Sequence, residues 1–137
     1  MLFGQEHVRR YRQTDGEEGY NWRRGTTILI LSTTGRVSGK KYDKPLIFRE
    51  HKGRYLVVAS NGGDHEHPEW FKNLQKKPDV DVQVKGDHFA ARARAAAPVE
   101  RAELWRMMNE AWPDYDTYQK KTDREIPVVI LERVPDA

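Results

Sequence analysis

Six short β-rich runs, most of them bounded by glycine or proline, leave this 137-residue chain few ways to fold. Residues 26–32 are β-rich around the unbroken apolar run Ile28 to Leu31, as a central strand buried on both sides requires. A glycine-punctuated turn leads to a second strand over 42–49. His51-Lys52-Gly53-Arg54 is then a hairpin signal before a third over 55–60. Val80, Val82 and Val84 alternate with Asp81, Gln83 and Lys85, the pattern of a half-exposed strand. Gly86-Asp87 turns the chain into a fifth strand over 88–96, and a sixth runs over 126–134.

Helical signals interrupt this series. A short polar helix is expected over 5–13. Pro68 opens another, with Trp70, Phe71 and Leu74 on one face and Pro78 as its stop. Pro98 opens a third, expected to bury Val99, Ala102, Trp105, Met108 and Trp112, and Tyr115 and Tyr118 share a short fourth. Mostly antiparallel strands with short turns predict a mainly β, α+β fold. Its centre is a small barrel of about six strands, whose closure removes exposed edges, with two to four helices capping or flanking it. The chain reads as one domain, 1–137. Residues 1–20 form an N-terminal segment whose order the sequence leaves open: over a pocket, against a membrane, or loose.

There is no cysteine, which excludes disulfides, thiolate metal sites and a cysteine nucleophile and fits a reducing cytoplasm. No apolar run approaches the roughly 20 residues of a membrane span, although a peripheral contact stays open. Net charge is +3, with basic and acidic residues interspersed, so no nucleic-acid partner is expected.

Five segments hold side chains that invite a chemical reading. Gly35 to Lys44 combines two glycines with Arg36, Ser38, Lys40, Lys41 and Lys44. It reads either as an exposed basic turn or as an anion nest, and its spacing is not that of a Walker loop. Ala59-Ser60-Asn61-Gly62-Gly63 reads either as a capped turn or as a loop that hugs a flat ring. Trp112, Tyr115 and Tyr118 are either core or the wall of a flat pocket. His65-Glu66-His67 lacks the spacing of a metal site and reads as a solvated loop. Asp123 and Arg124 read as an adjacent structural ion pair.

Taken in order, these segments resemble the deazaflavin-dependent nitroreductases, or quinone reductases, of actinobacteria. The resemblance spans residues 22–132. It rests on Trp22 with Arg24-Gly25, Thr33-Thr34-Gly35-Arg36 with Ser38-Gly39-Lys40, and Pro45-Leu46. It continues through Val58-Ala59-Ser60 with Gly62-Gly63, then Pro68, Trp70, Asn73-Leu74 and Pro78, the tyrosines, and Thr122-Asp123-Arg124 with Ile126-Pro127. It implies a split β-barrel related to flavin-mononucleotide barrels, and coenzyme F420, a deazaflavin with a phospholactyl-oligoglutamate tail, as cofactor.

By the same resemblance Arg36, Ser38, Gly39 and Lys40 meet the cofactor phosphate, and Lys41 or Lys44 its acidic tail. Pro45, Ala59 and Ser60 line the ring, with Asn61, Gly62 and Gly63 beside it, and Trp70 and Asn73 shape that side. Tyr115 and Tyr118 flank the acceptor, and Ser60, Tyr115 and Tyr118 are the expected catalytic donors. The implied reaction is hydride transfer to a quinone, enone or nitroaromatic by a monomer or homodimer. The alternatives are a flavin-mononucleotide enzyme of the same barrel type, or a non-catalytic carrier of cofactor or lipid. This chain departs from some members at Asn61, where they have Lys, and at Trp112, where they have Tyr.

Overall fold

A computed structural model describes residues 1–135. Its strands are β1 (Thr27–Thr34), β2 (Lys41–His51), β3 (Arg54–Val58), β4 (Asp79–Val84), β5 (Asp87–Ala95) and β6 (Val128–Arg133). Its helices are α1 (Gly4–Thr14), α2 (Glu69–Lys76), α3 (Pro98–Ala111) and α4 (Asp114–Gln119). The strands close into a barrel in the order β1-β2-β3-β6-β5-β4, every pairing antiparallel, with β4 returning to β1.

Side chains alternate between two buried faces, so the runs Ile28–Leu31 in β1, Leu56–Val58 in β3 and Val128–Leu131 in β6 are continuously apolar. Leu29, Leu31, Val57, Val129 and Leu131 fill the barrel, where Trp70, Phe71 and Leu74 of α2 also pack. Residues of the opposite parity are buried outside it. Ile28 and Ile30 lie under Val8 and Tyr11 of α1. Leu56, Val58, Val128 and Ile130 lie under Leu104, Met108, Trp112 and Tyr115.

Two side-chain expectations need correction. The buried stripe of α3 is Leu104 and Met108, whereas Val99 is 97% exposed and Ala102 is also exposed. Gln83 is buried, not solvated, because α1 covers the outer face of β4 at this point. Arg12 Nη1 donates to Gln83 Oε1 at 3.1 Å, and the Lys85 amide donates to the Tyr11 hydroxyl at 2.8 Å. Through these bonds α1 packs against the barrel.

The barrel has one opening that matters for function. All of 41–48 in β2 pairs with β1, but β2 meets β3 only from Arg49↔Leu56 to His51↔Arg54. Pro45 and Leu46 consequently face Val58 and Ser60 across a split with no ladder between them. Pro45 has no N–H to leave unpaired there.

Candidate functional site

The split forms a continuous groove of three adjoining cavities. At one end, about 350 Å³ lies among Arg36, Val37, Ser38, Tyr42, Lys44 and Trp70. The middle cavity, about 630 Å³, shares Lys44 and Trp70 with it and adds Pro45, Ser60, Asn61 and Gly62. The far end, about 290 Å³, shares Pro45, Ser60 and Gly62 and is walled by Trp22, Trp112, Tyr115, Tyr118 and residues of α1.

The basic turn at the first end is tightly built. The Gly35 amide donates to the Lys40 carbonyl at 2.7 Å, and the Gly39 amide to the Gly35 carbonyl at 3.0 Å. Gly39 has φ +75°, which glycine adopts without strain. A Cβ on Gly35 would meet Ser38 Oγ at 2.6 Å. Asn73 is buried, and its Oδ1 accepts from the Arg36 amide at 3.2 Å and from Arg36 Nη1 at 2.8 Å. Asn73 thus orients Arg36 as well as bordering the cavity. Arg36 Nη2 also donates to Glu69 Oε1 at 3.1 Å, and this hydrogen bond holds the Glu69 carboxyl below its ordinary range. Glu69 is 70% exposed, so an incoming anion can displace it at little cost. Lys44 borders both cavities at their junction and has no ion pair among the described residues. Lys41 points elsewhere, its Nζ 3.0 Å from Asp81 Oδ2 on β4.

Ala59 and Ser60 leave the ladder after β3. Ala59 is wholly buried in the barrel core, while Ser60 borders the middle and far cavities. No protein partner for the Ser60 hydroxyl occurs among the described residues. Asn61, at φ +48°, donates Nδ2 to the Glu66 carbonyl at 3.0 Å, and Gly62 is open to the groove. Gly63 faces away from the groove. Its φ is +85°, and a Cβ there would meet the Tyr118 carbonyl at 2.7 Å, so this glycine lets the loop pack on α4.

Arg124 fixes the same loop, and its expected pairing with Asp123 does not form among the described residues. Its guanidinium donates to the Ser60 carbonyl at 2.7 Å, the Asp64 carbonyl at 2.8 Å, the Ala59 carbonyl at 3.3 Å and His67 Nδ1 at 3.0 Å. Because arginine only donates, Nδ1 must be unprotonated. Desolvation foremost, then the Arg124 and Lys72 charges, push the His67 pKa below its usual value. Sequence reasoning gave Arg124 a local role only, since nothing in its neighbours signals a loop about sixty residues away.

The far cavity is aromatic. Trp22 and Trp112 stack with centroids 5.7 Å apart, and the Arg24 guanidinium lies 4.3 Å from the Trp112 ring centre. Tyr115 and Tyr118 meet edge to face at 6.2 Å. Tyr115 is 5% exposed. Burial first, then its proximity to Tyr118, push its pKa up, so it stays a protonated donor. No hydrogen bond to its hydroxyl occurs among the described residues, which include no fully enclosed unpartnered side-chain polar atom. The phenol oxygen is therefore not fully enclosed, on a side chain that borders the cavity.

The groove thus joins a basic turn to a flat aromatic chamber through a loop with a free hydroxyl. This donor set suits a planar ring that carries an anionic tail. Arg36, Ser38, Lys44, Pro45, Ser60, Asn61, Gly62, Trp70, Asn73, Tyr115 and Tyr118 all border it. The side chains of Ala59 and Lys41 do not, and Gly39 and Lys40 contribute turn backbone.

The sequence model of the F420H(2)-dependent quinone reductases matches residues 3–133. An F420H(2)-dependent quinone reductase of Mycobacterium tuberculosis is 36% identical over 126 residues, covering 90% of this chain and 85% of its own. Among solved structures, an F420-H2 dependent reductase, FDR-A, superposes with TM-score 0.71 at 44% identity, covering 77% of this chain and 93% of its own. A domain-swapped dimer superposes with TM-score 0.74 at 40% identity, covering 93% and 96%.

Proposed function

The chain belongs to the F420H(2)-dependent quinone reductase family, and on that premise we propose that the split groove holds the cofactor along its length, with the acceptor in the aromatic chamber. Coenzyme F420 is the cofactor, and when bound in its reduced form it supplies a hydride for quinone reduction. The carrying observation is the gradient along the groove, from Arg36 and Lys44 at one end to Trp22, Trp112, Tyr115 and Tyr118 at the other.

In this reading the Arg36 guanidinium and the Gly35–Lys40 turn bind the phosphate, and Lys44 meets the tail beyond it. The Ser60 hydroxyl hydrogen-bonds the ring edge, and Gly62 leaves room for close approach. The stacked tryptophans and α1 keep water from the acceptor, which strengthens every polar contact made there. Tyr115, held protonated, donates a hydrogen bond to the acceptor oxygen as negative charge develops on it. The same chamber suits enones and nitroaromatics, which share a flat ring and an oxygen acceptor. No helix of the described residues is long and apolar enough to cross a membrane. The proposed compartment is the cytoplasm, supported by the cysteine-free composition.

Trp22, Trp70 and Trp112 border the groove and report on its occupancy. Titration of their fluorescence with oxidised F420, with flavin mononucleotide as control, should give saturable binding of the deazaflavin and weaker binding of the flavin. Preference for the flavin would overturn the assignment.

A further inference from the structure

A further polar group meets the aromatic chamber, and no motif signals it. His7, on the inner face of α1, is 2% exposed and borders the cavity. Its Nε2 lies 2.9 Å from the Gly19 carbonyl, which can only accept, so Nε2 carries a proton. Gly19, at φ +99°, approaches so closely that a Cβ there would meet the imidazole Cδ2 and Nε2 at 2.9 Å. Trp22 flanks the ring at 6.2 Å. One nitrogen and the plane of the imidazole are therefore fixed. Nδ1 has no hydrogen bond among the described residues, and none of their fully enclosed polar atoms is unpartnered, so Nδ1 is not fully enclosed, on a residue that borders the cavity. An imidazole anchored through one nitrogen and presenting the other is the arrangement an acid–base catalyst needs.

We propose that His7 is a catalytic residue, the proton donor to the quinone oxygen. This role rests on the quinone reductase reading above. Hydride delivers two electrons and one hydrogen to the quinone, leaving a hydroquinone monoanion. The Nδ1–H bond of the imidazolium breaks, its electron pair stays on nitrogen, and an O–H bond forms on the product. Neutral His7 keeps its Nε2–H bond to Gly19, and solvent returns the lost proton.

His7→Gln keeps a donor near Gly19 but has no acid at the Nδ1 position, and His7→Ala leaves room for added imidazole. With reduced F420 and menadione, His7→Gln should lower kcat by about 100-fold, the scale of general acid catalysis. Its F420 affinity, from tryptophan fluorescence, should stay within about twofold, because His7 borders only the far cavity. Added imidazole should raise the His7→Ala rate at least tenfold on the same scale. In the cofactor-free wild type, menadione should shift the His7 Nδ1 resonance. Wild-type kcat in His7→Gln, failure of imidazole to rescue His7→Ala, or an unshifted resonance would each overturn the role. A wild type that neither binds F420 nor reduces menadione would overturn the underlying reading and this role with it.

Discussion

Arg124→Met removes the guanidinium that ties the ring loop to the barrel and keeps an apolar stem of similar length. Two of its bonds are short, to the Ser60 carbonyl at 2.7 Å and the Asp64 carbonyl at 2.8 Å, while that to Ala59 is long at 3.3 Å. Charge-assisted bonds contribute about 1.5–3 kcal/mol each. Arg124 is only partly buried, so water replaces some of what is lost, and the lower end applies twice. The expected loss is about 2–3 kcal/mol, or a fall in Tm of about 6–12 °C for a chain of this length. The loop then has to be ordered by the cofactor. If half the loss falls on binding, F420 affinity drops about tenfold, since 1.4 kcal/mol corresponds to one decade. Thermal melts with and without F420, beside a fluorescence titration, measure both effects. A variant melting within about 2 °C of wild type and binding F420 equally well would refute the argument that these bonds shape the site.

Tyr115→Phe breaks no hydrogen bond among the described residues, so its Tm should stay within about 2 °C of wild type while quinone turnover falls at least tenfold. Lys44→Ala should weaken F420 binding, read from the fluorescence titration, whereas Lys41→Ala should leave it unchanged because Lys41 faces Asp81 on β4. His67 has a folded pKa below its usual value, so the unfolded chain binds the proton more readily. Its contribution to stability is full above about pH 6.5 and is lost as pH falls below that toward the folded value. Hydrogen-exchange protection at residues 60–67, taken relative to the intrinsic amide rate at each pH, should therefore fall as the pH drops through that window. His67→Asn, whose amide oxygen can still accept from Arg124, should flatten the dependence.

The barrel was legible because each strand carries its own signal: apolar or alternating residues bounded by glycine or proline. Reading failed where burial depends on a distant element. Gln83 looks solvated in its own strand, and only α1 lying across β4 buries it. In α3, several apolar residues surround the helix, so periodicity does not single out the Leu104 and Met108 face from one that includes Val99. In the site, Arg36, Ser60, Tyr115 and Tyr118 stood out because glycines or aromatic neighbours accompany them. Arg124 and His7 gave no such signal. One acts on backbone carbonyls far along the chain, and the other is a lone histidine in a polar helix whose partner is the Gly19 carbonyl.

The most direct test of the account is anaerobic mixing of reduced F420, the purified protein and menadione, followed by the returning absorbance of the oxidised cofactor. The account predicts oxidation that depends on the protein, matches the menadione consumed mole for mole, and is slowed in Tyr115→Phe. Reduced cofactor that persists with protein and menadione present, or an equal rate in Tyr115→Phe, would contradict the placement of hydride transfer in this groove.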